Sequence, residues 1–232
     1  MKVLAIIPAT LKQDGVETGV LSPIQDAPLL GRLLDRIACV DKLDSVVVTT
    51  SDDPEDDAIF DYCIARGTIC QRGPRDDLLG RLLGALKNAG AKAGVMVEAS
   101  NPLIDPALVD QVANLLEMTD GMLDWIGNAL APSYPRGMEI DGFTTAALEE
   151  ADKRCAEPAL RRQGPAFLRQ NTRIYRPLSL TASAELTRPE INLKVEGLAD
   201  LPRIAAIFGH FAGRTDFGLA EILGFLDAGQ TN

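Results

Sequence analysis

The sequence predicts an α/β protein built on a doubly wound, mostly parallel sheet. Short apolar runs in the first half lack the alternation of a half-exposed strand. Amphipathic segments with recognisable start and stop residues separate them. The two patterns take turns along the chain, as right-handed crossovers on a parallel sheet require.

Residues 3–7, within V-L-A-I-I-P-A, read as a buried first strand, and residues 45–50, 68–70 and 95–98 read as further strands. Residues 28–40 place Leu29, Leu30, Leu33, Leu34 and Ile37 on one helical face. Residues 54–66 open on Pro54 after Asp52 and Asp53 and stop at Gly67. Proline in the first turn and acids at the positive end of the dipole are start signals. Residues 77–88 form a third helix before Gly90, and residues 106–118 a fourth. Asp52, Asp53, Asp76 and Asp77 are read first as helix-capping residues and only second as ligand or metal contacts.

The character changes after about residue 124. Residues 125–128 read as a strand with Trp125 in the core, 131–137 (A-P-S-Y-P-R-G) as a turn, and 138–141 as a short strand. A helix over 144–154 precedes a basic, proline-broken stretch at 157–170. A strand at 191–196 and helices over 199–211 and 218–226 complete the chain. His210, between Phe208 and Phe211, reads as a packed or solvent-facing residue.

The 232 residues are 46% hydrophobic, enough for one sizeable domain, and carry a net charge of −10. That charge argues against broad nucleic-acid or anionic-membrane binding but permits a local basic pocket. The cysteines Cys39, Cys63, Cys70 and Cys155 lack C-x-x-C spacing and there is one histidine, so no Cys/His metal cluster is expected. Scattered cysteines and the lack of any apolar run of transmembrane length point to the cytoplasm.

Ligands of such sheets bind at the carboxyl ends of the strands. The first such loop, 10–18 (T-L-K-Q-D-G-V-E-T), offers one glycine and one lysine against Asp14 and Glu17. A triphosphate asks for glycine backbone N–H groups together with Arg or Lys. The fold pattern is thus strong where the phosphate pattern is thin.

Four segments in order resemble one family: 51–59 (S-D-D-P-E-D-D-A-I), 72–86 (R-G-P-R-D-D-L-L-G-R-L-L-G-A-L), 101–106 (N-P-L-I-D-P) and 134–143 (Y-P-R-G-M-E-I-D-G-F). They are similar to the spore-coat polysaccharide SpsF-type branch of the cytidylyltransferases, relatives of the synthetases that make CMP-activated sialic acids and Kdo. The resemblance implies a nucleotide-diphospho-sugar-transferase-like domain over 1–232, with about 131–190 as a protruding sugar-side and dimerisation element. It implies a cytoplasmic homodimer acting on a nucleotide and a sugar, assisted by Mg²⁺. On the nucleotide side it puts Pro8, Ala9, Lys12, Asp76 and Asn101; on the sugar side, Tyr134, Arg136 and Glu139.

The family's loop A-R-x-G-S-x-R-L-P-x-K is altered here. Thr10, Gly15 and Gly19 stand where its three cations stand, and Lys12 and Gln13 replace its Gly and Ser. Ser100 replaces the family's metal-binding Asp, leaving Glu196 as the remaining metal acid. Gln163 stands where a later family element has His. Losing three phosphate contacts and a metal ligand would remove roughly 5–10 kcal/mol of transition-state stabilisation. Arg136, Arg161 and Arg162 are candidate substitutes; otherwise Arg161, Arg162, Arg169 and Arg173 read as a solvated or dimer-facing edge. Two main readings follow, beside a third in which the chain is a purely structural module with no ligand, which would leave the Y-P-R-G turn unexplained. One is a degenerate homologue acting as a binding or assembly partner in surface-glycan biosynthesis. The other is an active, atypical nucleotidyl- or glycosyltransferase with relocated cations.

Overall fold

The computed structural model describes residues 1–230. A seven-stranded sheet runs through it. The strands are β1 (Val3–Pro8), β2 (Ser45–Ser51), β3 (Ile69–Gly73), β4 (Ala93–Met96), β5 (Trp125–Gly127), β6 (Asp141–Thr144) and β7 (Pro177–Ser179). Their order across the sheet is β7-β5-β6-β4-β1-β2-β3. β6 is antiparallel to both neighbours and every other pairing is parallel.

β1 explains the layering. Successive side chains point to opposite faces. Val3, Ala5 and Ile7 enter one core with α1 (Leu29–Ile37), α4 (Pro106–Thr119), α8 (Leu201–His210) and α9 (Leu219–Gln230). Leu4 and Ile6 enter the other, under α3 (Leu78–Ala89) and α5 (Thr145–Arg154). Both faces are covered, so β1 needs apolar residues throughout and has them. α2 (Asp57–Arg66) follows a 3₁₀ turn at Pro54–Asp56. The basic stretch forms two short helices, α6 (Pro158–Arg162) and α7 (Ala166–Gln170). No described helix is long and apolar enough to cross a membrane.

Three expectations need correction. The loop after β1 is a β-hairpin, Lys12–Gln13 against Val16–Glu17, with Asp14 and Gly15 at φ 49° and 81°. Asp-Gly is a strong two-residue hairpin signal because both turn positions need positive φ. The strand expected at 138–141 instead begins at Asp141. The Asn128 amide takes up the backbone of that segment, donating to the Met138 carbonyl at 2.6 Å and accepting from the Ile140 N–H at 3.2 Å. Residues 191–196 make a single parallel bridge, Arg136 to Asn192, in place of a strand. They are pinned by Leu193 N–H to the Arg136 carbonyl (2.7 Å) and Val195 N–H to the Ser100 carbonyl (2.8 Å).

Candidate functional site

A cleft of about 590 Å³ opens beyond the carboxyl ends of β1 and β4. Pro8, Ala9 and Thr10 form its floor, the hairpin one edge, and Glu98, Ala99 and Ser100 another. Arg75, Asp76 and Arg81 come from the loop and helix after β3, and Arg162 and Arg169 from α6 and α7. The volume lies in the range of small-molecule sites. Lys12, Arg75, Arg81, Arg162 and Arg169 face Asp14, Asp76 and Glu98, so the cleft is locally cationic on an acidic protein.

Arg75 ties the hairpin to the scaffold. Its guanidinium pairs with Asp53 and, at 3.1 Å, with the fully buried Asp56, and it donates to the Lys12 carbonyl at 3.2 Å. Asp56 also accepts from Leu11 N–H at 2.7 Å and from the Ser51 hydroxyl. Asp53 was expected to cap a helix; its carboxylate makes no cap bond and goes to Arg75, a charged and therefore stronger donor. Asp77 does cap, accepting from Gly80 N–H at 3.0 Å. Lys12 turns to Glu55 at 2.7 Å, which raises its pKa and keeps it a cation.

The far wall is built by ion pairs. Arg161 spans Asp77 (2.9 Å) and Asp152 (2.6 Å), which holds α6 against α3. Arg162 reaches Asp76 at 3.0 Å. Arg169 takes both oxygens of the buried Asp141 at 2.7 Å, and the Trp125 indole donates to one of them at 2.7 Å. Arg162, named above as a candidate substitute cation, and Arg169, read above as part of a solvated or dimer-facing edge, both line the cleft. Arg81 Nη1 donates to the Pro74 and Arg75 carbonyls at 2.9 Å, and its Nε has no partner among the described residues. Burial lowers the Arg81 pKa, yet guanidinium remains charged at neutral pH.

At the β4 end a separate corner forms. Ser100 Oγ donates to Glu98 Oε2 at 3.1 Å, and Lys194 Nζ donates to the same oxygen at 2.6 Å. Burial works against the Lys194 charge, but Glu98, Glu139 and Glu196 outweigh it and raise its pKa. Glu196 pairs with Arg136 at 2.5 Å. Asn101 is fully buried and donates to the Glu139 carbonyl and carboxylate at 3.3 Å. Glu139 also accepts from Gly137 N–H at 2.8 Å. Gly137 sits at φ 97°, and a β-carbon there would lie 2.7 Å from the Leu193 carbonyl carbon and the Lys194 nitrogen. The Y-P-R-G turn therefore needs glycine to dock on 191–196.

The structure gathers Pro8, Ala9, Lys12 and Asp76 around the cleft. Asn101, expected on the nucleotide side, is not among the lining residues; it is buried and donates to Glu139. Tyr134 is half-buried against the core, and Arg136 and Glu139 belong to the β4-end corner. Arg75, Arg81, Glu98 and Lys194 were not anticipated as site residues. The second Arg of R-G-P-R-D-D sits at a strand end, which was a usable signal for Arg75. In I-N-L-K-V-E the alternation put Asn192, Lys194 and Glu196 on one side, with Leu193 and Val195 buried.

Mg²⁺ asks for several oxygen ligands, usually including one or two carboxylates. No group of three or more His, Cys, Asp or Glu among the described residues is placed to hold a metal. Ser100 is neutral, Glu98 is taken by Lys194 and Glu196 by Arg136. As arranged, both carboxylates nearest the expected metal position already have a cationic partner.

The chain is similar to several known proteins. A family model described as cytidylyltransferase matches residues 4–128. An uncharacterized protein of Methanocaldococcus jannaschii is 28% identical, over 98% of this chain and 91% of its own. The spore coat polysaccharide biosynthesis protein SpsF of Bacillus subtilis is 24% identical, over 97% and 94%. The solved structure of a cytidylyltransferase from Leptospira borgpetersenii superposes with a TM-score of 0.92 at 23% identity, covering 100% of this chain and 96% of that one.

Proposed function

The chain belongs to the cytidylyltransferase family, and on that premise we propose that it transfers a cytidylyl group from CTP to a sugar acid of surface-glycan biosynthesis. Arginines of the far cleft wall take over the phosphate contacts that the family resemblance assigns to the first loop. The observation that carries this reading is the set of five cations, Lys12, Arg75, Arg81, Arg162 and Arg169, lining one cleft at the strand ends.

An oxygen of the sugar attacks the α-phosphorus. The bond from that phosphorus to the β-phosphate oxygen breaks, pyrophosphate leaves with the electron pair, and the sugar hydroxyl proton passes to water. Charge builds on phosphate oxygens during this step, so fixed cations aimed at them lower the barrier. Asp76 and Asp141 hold Arg162 and Arg169 in place before substrate arrives. Arg136, half-exposed and paired with Glu196, is the group a sugar carboxylate would compete for.

Incubation with CTP and a panel of sugar acids, Kdo and sialic acids among them, tests this. Pyrophosphate release matched by a cytidylyl-sugar product is the expected outcome. A second reading, a degenerate homologue that binds without turnover and acts as an assembly partner, is favoured by one fact. Each wall arginine already has an acid or carbonyl partner. CTP binding without pyrophosphate release for any sugar acid would select it.

A further inference from the structure

We propose that the Lys194 ammonium is a built-in replacement for the divalent cation, so that this chain binds its nucleotide without a metal. The inference rests on the cytidylyltransferase reading for the identity of the nucleotide, and on the geometry alone for the exclusion of the metal.

The resemblance puts metal-binding acids at the positions of Ser100 and Glu196. Here the β4 end carries a hydroxyl, and the carboxylate beside it, Glu98, lines the cleft. One oxygen of Glu98 accepts from both Ser100 Oγ (3.1 Å) and Lys194 Nζ (2.6 Å). That oxygen, next to the position where the resemblance expects a metal-binding acid, already carries a covalently tethered cation. The second acid, Glu196, is neutralised by Arg136.

Lys194 is held, not merely present. Its carbonyl accepts from Arg203 Nη2 at 3.1 Å, and Val195 N–H anchors the segment to the Ser100 carbonyl at 2.8 Å. Gly137 closes over the Leu193–Lys194 backbone with no room for a side chain. A metal would have to displace an ammonium whose chain is fixed on both sides. A divalent ion facing one or two carboxylates and two nearby cations meets Coulomb repulsion from Lys194 and Arg136.

Mn²⁺ serves as the probe in two arms. In the first, Mn²⁺ is titrated into the nucleotide-free protein and followed by electron paramagnetic resonance. The wild type should hold no stoichiometric Mn²⁺, and the double variant S100D/K194M should hold one ion. A wild type that binds one Mn²⁺ in a manner lost in E98Q overturns the inference. So does a double variant that folds, by its thermal melt, yet stays metal-free, because Lys194 would then not be what keeps the ion out. In the second arm, CTP is titrated by calorimetry in EDTA and in Mg²⁺. The affinities should agree within about threefold, and K194M should weaken binding by roughly tenfold or more. Loss of wild-type binding in EDTA alone overturns the inference. If CTP fails to bind in either buffer while the Mn²⁺ arm behaves as stated, the lysine assignment stands and the cytidylyltransferase reading falls.

Discussion

Arg75 reaches back to Asp56, its Nη2 lying 3.1 Å from a carboxylate that is fully buried. This pair joins the hairpin after β1 to the turn after β2, since Asp56 also holds Leu11 and Arg75 also holds the Lys12 carbonyl. Removing the arginine leaves a buried carboxylate short of its charged donor. Arg75→Met should cost about 2 kcal/mol in urea unfolding. It should also weaken CTP binding by roughly tenfold or more, because a cleft cation and the hairpin anchor are lost together.

Arg36 makes a separate prediction about the fold alone. It is fully buried and donates to the carbonyls of Ile104, Thr215 and Phe217, with its guanidinium 3.9 Å from the Phe217 ring centroid. Burial lowers its pKa to about 10, so it remains charged at neutral pH. Arg36→Met should destabilise by about 3–5 kcal/mol, as three buried carbonyls lose their donor. The lysine variant should recover only part, since an ammonium lacks the planar fork. Guanidinium melts check both, and CTP affinity measured well below the melting temperature should be unchanged.

Two glycines at positive φ should behave differently. Gly15 at φ 81° has open space around it, so Gly15→Ala should cost about 1 kcal/mol, from backbone strain alone. Gly137 at φ 97° faces the 193–194 backbone at 2.7 Å, so its alanine variant combines strain with a clash. A loss of about 2–4 kcal/mol is expected there. Thermal unfolding of the two variants side by side checks the contrast.

Acid should loosen the wall. Burial pushes the Asp77 carboxyl up, but Arg161 and the Gly80 N–H outweigh it and hold the pKa below the ordinary value. A carboxylate with a depressed folded pKa stabilises the fold above its unfolded pKa, and that stability is lost as pH falls through the folded one. The window therefore opens below about pH 4. Asp77→Asn should keep the cap and lose the pair with Arg161. Its deficit in the urea midpoint against wild type should be full at pH 7 and should shrink at pH 3.

The strand-helix order was legible because both faces of β1 are buried, and Val3 to Ile7 must then be apolar throughout. Helix ends were legible at Asp77, Gly67 and Gly90, where one residue decides the local backbone. The hairpin was also written in the chain, as Asp14-Gly15, but reading the loop for phosphate ligands hid its turn chemistry. What could not be read was pairing across distance. Asn128 replaces a ladder at Met138 and Ile140, and Asp141 aims Arg169 from 28 residues away. Lys194 meets Glu98 across 96 residues, and nothing local to either announces it. The missing loop cations were visible and Arg162 stood out as a candidate substitute; that it shares one cleft with Arg169 emerged only once α6 and α7 were placed.

Calorimetric titration of CTP into the wild-type protein, beside the variant R81M/R162A, tests the central claim most directly. A single site with micromolar affinity is expected, weakened by roughly tenfold or more when the two wall arginines are removed. No saturable binding at millimolar CTP, or affinity untouched by the double substitution, would contradict the assignment of this cleft and its arginines to the nucleotide.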